Sequence, residues 1–408
     1  MKPICLVLRT SLRMRRLHPA LFAVLMVAVL SRAALVAAVP FTPTDDGQVI
    51  EQLPVSPLDP TWRQVRGLRQ QLAERPDNLA LAVRVAWLYI EQGRALSEPR
   101  YYGYAEGVLA PWWKAAEPPV PILVLRATIR QHDHDFESAL RDLSLALRAD
   151  PENAQAWLTQ AVVQQVRGDY AAARDSCMQV LRLSDPLVAV TCLSTIDSLT
   201  GNGPKAYDAL GRALTRARSA PVDVQRWAQT VLAETAARTN QASQADAHFQ
   251  EALALGPTDD YLRAAYADFL LDQGRPQAVI DLLRASTRVD ALLLRLALAE
   301  QRVAAPELDQ HVQALRDRFA AARLRGDAVH QREEARFALY LLRQPQAALE
   351  LARANWAVQR EPADARLLLE AALAAGDPDA AQPVLIFLAD SGLDDVQLTP
   401  LHAKLVTS

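Results

Sequence analysis

Glycine and aromatic residues are scarce in this chain, and their scarcity limits the folds and chemistries open to it. Only 14 of the 408 residues are glycine and 6% are aromatic, while half are apolar. Alternating runs of β-branched residues are nearly absent, which favours an all-α fold. The sequence also lacks the phosphate-binding glycine loop, H-E-x-x-H, G-x-S-x-G and C-x-x-C. We therefore expect no catalytic role and no cofactor.

Lysine is rare as well, and the charge balance argues against a nucleic-acid partner. Residues 1–38 carry six of the 44 basic side chains and no acid, so the remainder has 38 basic against 47 acidic side chains. An acidic chain is a poor match for a phosphate backbone. The excess of arginine over lysine is typical of GC-rich bacterial coding, which points to a bacterial source.

Residues 1–38 have the pattern of a secretory signal peptide. An uninterrupted apolar run covers Ala20–Leu30, and Val36–Ala38 offers a cleavage site with small residues. Met14 would be a better start than Met1, because it shortens the basic region. The alternative is an uncleaved anchor over Leu17–Val39, and that segment would then be the only contact with a membrane.

The chain repeats a small residue about every 34 positions. Ala139, Ala173 and Ala206 follow this step, and Ala245 and Val279 resume it after a longer gap. Around each lies one pattern, in which an apolar helix ends near glycine and a second apolar helix follows a turn. Such a period indicates stacked helical hairpins, each of which packs on its neighbours.

The best copy runs from Ala154 to Asp185. Its small residues, Ala161 and Ala173, let two helix axes approach closely. Gly168 can end the first helix with a positive φ, and Asp169 can cap the second. This pattern resembles the tetratricopeptide repeat, whose period is about 34 residues.

The resemblance covers roughly Leu79 to Ala389 and implies an α-solenoid of about seven or eight hairpins. We expect Trp62 to Leu72 to form a helix that caps the array. The predicted segments are a signal peptide or anchor (1–38), an extended strap with the capping helix (39–78), regular repeats (79–287), irregular helical repeats (288–362), a C-terminal repeat (363–390) and a tail (391–408).

The resemblance also implies a concave groove, lined by the first helix of each repeat, that binds a protein or peptide. The lysine and asparagine pattern with which some relatives clamp a peptide carboxylate is missing, so an apolar or aromatic segment suits this groove better. The candidate groove residues are Val83, Trp87, Ile90, Val124, Thr128, Gln131, Gln155, Leu158, Val162, Trp227, Glu234, Tyr261 and Asp268.

Three local features each allow two interpretations from the sequence: an aromatic cluster, a pair of cysteines and a run of histidine and aspartate. An aromatic cluster either packs the first repeat together or forms an exposed recognition patch; it consists of Tyr101, Tyr102, Tyr104, Trp112 and Trp113. Cys177 and Cys192 fall on helices that should be neighbours, so they form either a disulfide or two small buried apolar contacts. The run His132–Asp135 could hold a metal weakly, but a solvated turn with Asp135 as a helix cap is the better interpretation.

These observations together predict an exported, non-catalytic scaffold for protein–protein interaction in the bacterial envelope, periplasmic or secreted. The first alternative is an accessory subunit of an envelope complex, held to the inner membrane by residues 17–39. The second alternative is a metal-handling protein whose site lies around His132 and His134.

Overall fold

The computed structural model describes residues 60–256, 259–326 and 331–407, so the predicted leader and strap over residues 1–59 lie outside it. The described residues are helical and contain no strand, which confirms the all-α prediction. No helix among them combines the length and apolar character needed to cross a membrane.

The helices are α1 (Pro60–Glu74), α2 (Leu79–Leu96), α3 (Arg100–Trp113), α4 (Val120–His132), α5 (Phe136–Ala149), α6 (Ala154–Val166), α7 (Tyr170–Leu183), α8 (Pro186–Leu199), α9 (Gly203–Arg216), α10 (Val222–Arg238), α11 (Ala242–Ala254), α12 (Asp260–Asp272), α13 (Pro276–Leu283), α14 (Asp290–Val303), α15 (Leu308–Leu324), α16 (Gln331–Arg336, continued by a π-helical turn over Phe337–Leu341), α17 (Pro345–Val358), α18 (Pro362–Ala375), α19 (Gln382–Ser391, preceded by a 3₁₀ turn over Pro378–Ala381) and α20 (Thr399–Thr407).

The α6–α7 hairpin forms for the reasons that its sequence indicates. Gly168 has a φ of +79° between the two helices. The carboxylate of Asp169 accepts a hydrogen bond from the Ala172 N–H at 3.2 Å, which caps α7. Ala161 and Ala173 are fully buried, as close packing of the two axes requires.

Successive hairpins stack in chain order. Helices α2 to α19 pair into nine hairpins within the described residues, and each first helix also contacts the first helix of the next hairpin. The irregular segment supplies two of the nine, α14–α15 and α16–α17. Leu292, Leu315 and Phe319 of this segment are buried, so the loss of strict spacing does not interrupt the array.

The C-terminal helices pack back on the middle of the array instead of only extending it. The backbone N–H of Arg360 donates to the carbonyl of Val166, the last residue of α6, at 2.7 Å. Asp394 donates in the same way to Leu199 at the end of α8, at 2.8 Å. Val396 donates to Arg238 at the end of α10, at 3.3 Å.

These three carbonyls have equivalent places in three consecutive hairpins. The last carbonyls of an α-helix have no partner within the helix, so each needs an outside donor or water. The C-terminal segment provides those donors with its own backbone. The tail predicted over residues 391–408 therefore belongs to the packed structure as far as it is described, to residue 407, and Leu398 and Leu405 in this segment are buried.

An apolar cluster accompanies these hydrogen bonds. It combines residues of α6–α8 with residues of the C-terminal helices; its members include Tyr170, Ala173, Cys177, Ile196, Trp356, Leu368, Ala381, Val384 and Leu405. The ring of Phe387 lies 6.1 Å from that of Tyr170 and 5.2 Å from that of Trp356. The middle repeats and the C-terminal helices thus share one hydrophobic core.

Substitution of Gly168 by alanine tests this packing. A Cβ at Gly168 would lie 2.6 Å from the Phe387 ring, whereas one at Gly274, which also has a positive φ, would meet nothing within 4 Å. Both Gly→Ala changes incur about 1–2 kcal/mol of left-handed backbone strain. We expect Gly168→Ala to lose about 1–3 kcal/mol more than Gly274→Ala in urea unfolding, because of overpacking.

The combination with Phe387→Ala isolates the contact. In that background the extra cost of Gly168→Ala should largely disappear, since the two changes share one site. Equal destabilisation by the Gly168 and Gly274 variants, with no dependence on Phe387, would show that the C-terminal helices do not cover the α6–α7 turn.

Candidate functional site

The candidate groove residues all lie on first helices, but their exposure differs. Gln155 and Tyr261 are exposed. Ile90, Val124 and Thr128 are 0%, 4% and 3% exposed, so these three belong to the core and cannot contact a partner as the structure stands. The remaining members are half-buried: Val83, Trp87, Gln131, Leu158, Val162, Trp227, Glu234 and Asp268.

The half-buried apolar groove positions belong to different apolar clusters. Leu158 and Trp227 pack against the apolar cluster that contains α17 to α20. Val83 and Trp87 pack instead against the cluster formed by the first hairpin and α1. The predicted groove positions therefore border two different cores, one at the N-terminal end of the array and one shared by the middle repeats and the C-terminal helices.

Asp268 is neutralised within the protein. Arg295 of α14 donates to its carboxylate at 2.6 Å, and Arg336 of α16 does so at 2.8 Å. Burial disfavours the charged form of Asp268, but the two guanidinium groups outweigh burial and hold its pKa well below the usual range. This acid joins three first helices and has little capacity left for a partner.

Glu234 has a different environment. Its carboxylate accepts a hydrogen bond from the Tyr261 hydroxyl at 2.6 Å, and none of the lysine and arginine nitrogens that the structure describes lies within 4.0 Å of it. Burial raises the pKa of Glu234, while Arg238 and the hydrogen bond from Tyr261 act in the opposite direction. Glu234 is thus a groove carboxylate without an ion-pair partner among the described residues.

Tyr261 is the most open aromatic side chain of the groove, at 63% exposed. The charge of Glu234 raises the pKa of its hydroxyl, and burial and Glu361 raise it further. The ring is therefore reached by water while its hydroxyl is held by the carboxylate. Tyr261 and Glu234 together form an apolar surface beside a negative charge.

Several ion pairs join the C-terminal helices to one another and to the repeats. Arg332 forms ion pairs with Glu361 and Asp364, and Asp364 also accepts from Asn355 at 2.7 Å. Arg366 pairs with Asp272 of α12 at 2.8 Å. Sequence reasoning missed these residues because no repeat period marks them, and no local motif identifies their partners.

The aromatic cluster lies mostly inside the first hairpin. Tyr101 and Tyr102 are buried, and Trp112 and Trp113 are half-buried. The ring of Tyr101 lies 5.7 Å from that of Trp62 in α1, and the aromatic cluster thereby joins α1 to the array. Only Tyr104, at 48% exposed, presents a large free surface.

The residues of the run His132–Asp135 serve separate structural contacts. His132 stacks on Tyr102, His134 lies 3.2 Å from the Gln359 amide, and Asp135 accepts from the Ser138 N–H. The prediction of Asp135 as a helix cap is thereby confirmed. Within the described ranges, no three His, Cys, Asp or Glu side chains are grouped as metal ligands.

Cys177 and Cys192 are joined as a disulfide between α7 and α8. Both are buried in the cluster shared with the C-terminal helices. The bond links two consecutive hairpins directly beneath the helices that pack back on the array.

The two groove acids, Glu234 and Asp268, should respond oppositely to removal of their charge. Folding raises the pKa of Glu234, so its ionisation opposes folding once the pH exceeds the ordinary value of 4.5. Glu234→Gln should therefore stabilise the protein near neutral pH, with the gain vanishing below pH 4.5. Urea unfolding between pH 4 and 8 measures the effect.

Asp268→Asn is the matched comparison. Folding lowers the pKa of Asp268, so its charge stabilises the fold above the ordinary value of 3.8 and the stabilisation is lost as the pH falls. Asp268→Asn should destabilise the protein at neutral pH. The same sign of change for both variants would contradict the environments described here.

No protein-family model matches the chain, and no curated protein matches its sequence. Solved structures do match. A tetratricopeptide repeat protein from Parabacteroides merdae is 14% identical, with 63% of this chain and 91% of that chain covered and a TM-score of 0.41. A chain of the APC/C hetero-tetramer Cut9–Hcn1 is 13% identical, with 85% of this chain and 66% of that chain covered and a TM-score of 0.50.

A Rap protein complexed with Competence and Sporulation Factor is 13% identical, with 85% of this chain and 96% of that chain covered and a TM-score of 0.46. Identities this low bear on the fold alone. The stacked hairpins and their 34-residue step, together with the likeness to the Cut9–Hcn1 structure, confirm the resemblance at that level: the described part of the chain has a tetratricopeptide-like helical repeat fold.

Proposed function

We propose that this protein is a non-catalytic scaffold that binds an extended segment of another protein along its first helices. The observation that carries the proposal is the row of side chains that remains open there. Trp87 on α2, Gln155 on α6 and Tyr261 on α12 keep surface available, although the C-terminal helices pack against the same array. Repeat arrays offer extended surfaces of this kind to partners.

The chemistry of the row favours an apolar or aromatic partner segment. Val83 and Trp87 at one end and Leu158, Val162 and Trp227 further along are partly exposed apolar side chains. Half-buried tryptophans are frequent binding hot spots. The structural neighbour Cut9 is found in a hetero-tetramer with Hcn1, which agrees with a role for this fold in assembly.

We place this function outside the bacterial cytoplasm, in the periplasm or as a secreted protein. The support comes from the signal-peptide pattern of residues 1–38 and from the disulfide between Cys177 and Cys192. Structural disulfides persist in oxidising compartments and are rare in the cytosol.

Alanine at two groove tryptophans tests the binding surface. Peptides selected from a random 12-residue display library on the full chain would serve as the probe. We expect Trp87→Ala and Trp227→Ala each to weaken the selected peptides on the order of thirtyfold, or about 2 kcal/mol, as loss of a hot spot does. Fluorescence anisotropy measures the affinity.

Trp157→Ala is the matched control. Trp157 is a half-buried tryptophan on α6 that packs with α4 and α5 and lies outside the groove positions. It should leave peptide affinity unchanged, and circular dichroism should confirm that all three variants remain helical. Unchanged binding by both groove variants would rule out this surface.

The location is tested by thiol counting on protein isolated from its native host. Export with cleavage near Val39 removes Cys5 and leaves Cys177 and Cys192 as the remaining cysteines. Alkylation in denaturant should then label no thiol before reduction and two after it. Intact mass and N-terminal sequencing give both results, and two free thiols or a retained leader would contradict the proposal.

A further inference from the structure

Glu234 differs from three other acidic residues, Asp268, Asp272 and Glu361, because it forms no ion pair among the described residues. Asp268 pairs with Arg295 and Arg336, Asp272 pairs with Arg366, and Glu361 pairs with Arg332. In the described part of the chain, the carboxylate of Glu234 has only the Tyr261 hydroxyl as a hydrogen-bond partner. A neutral hydroxyl does not balance a carboxylate charge.

The nearest arginine on the same helix is hydrogen-bonded to a different helix. Arg238 lies one turn after Glu234 on α10, but its guanidinium donates to the Ser198 hydroxyl of α8 at 2.7 Å. Its charge reduces the negative potential at Glu234 without forming an ion pair with it. Glu361 acts in the opposite sense and adds negative potential at both Glu234 and Tyr261.

The ring of Tyr261 supplies the second half of a binding surface. It is 63% exposed, and its hydroxyl bond to Glu234 fixes the ring beside the carboxylate. An aromatic face next to an unpaired carboxylate suits a cationic side chain, because the cation contacts the π-face and the anion together. Burial of Glu234 strengthens such a pair relative to one in water.

We propose that Glu234 and Tyr261 form a subsite for a basic side chain, lysine or arginine, of the bound protein segment. The inference deepens the proposed function and rests on it. It adds one cationic position to an otherwise apolar or aromatic binding segment, at the α10–α12 end of the groove.

The experiment compares peptide selections on two forms of the full chain. A random 12-residue display library is selected on the wild type and on Glu234→Gln, which keeps the oxygen that Tyr261 bonds. Glu251→Gln is the control, since Glu251 lies on α11 of the same hairpin, is 59% exposed and is outside the groove. Wild type and Glu251→Gln should enrich peptides with a basic residue near apolar ones, and Glu234→Gln should lose that preference.

The leading peptide is then synthesised with its basic residue and with a neutral replacement, citrulline for arginine or norleucine for lysine. The basic form should bind the wild type about tenfold more tightly than the neutral form, in line with a partly desolvated ion pair. Glu234→Gln should remove this difference, and Tyr261→Ala should reduce it.

Each remaining outcome decides between the two proposals. Enrichment of apolar peptides with no basic preference, or a basic preference that persists in Glu234→Gln, would overturn the subsite and leave the scaffold proposal standing. Failure of the wild type to enrich any peptide would count against the peptide-binding groove itself and against the subsite with it.

Discussion

The structure depends on how the first helices end. Each leaves carbonyl groups that its own helix cannot satisfy, and in α6, α8 and α10 the last of them accepts a backbone N–H from the C-terminal segment. These three hydrogen bonds are spaced by the repeat itself, because equivalent carbonyls recur once per hairpin. The array thereby provides one such acceptor in each of three consecutive hairpins, and the segments after α17 and α19 supply the donors.

That arrangement changes the surface available for binding. A solenoid whose hairpins contact only their neighbours would leave its whole groove open. Here Leu158 and Trp227 pack against a core shared with the C-terminal helices, while Trp87 and Tyr261 retain open surface. The predicted groove positions therefore differ in surroundings: Trp227 borders the core shared with the C-terminal helices, and Trp87 borders the core of the first repeats.

The net charge at each acidic groove position depends on whether its carboxylate forms an ion pair with arginine. Asp268 and Glu234 have comparable places on α12 and α10, the first helices of consecutive hairpins, and both are predicted groove positions. Arg295 and Arg336 neutralise Asp268, whereas Glu234 bonds a tyrosine hydroxyl. The difference has structural consequences, because a carboxylate held by two guanidinium groups ties helices together and an unpaired one does not.

The sequence by itself determined the all-α class, the hairpins and their caps at Asp135 and Asp169, and the turn at Gly168, because these depend on local propensity and on a short period. Only the tertiary structure decided that the backbone N–H groups of residues 360, 394 and 396 donate hydrogen bonds to the ends of α6, α8 and α10. It also decided that Ile90, Val124 and Thr128 are buried. It decided, finally, that Asp268 forms ion pairs while Glu234 has none among the described residues. Those contacts join residues that are far apart in the chain. They depend on the path along which the hairpins stack, and a repeat period does not specify that path.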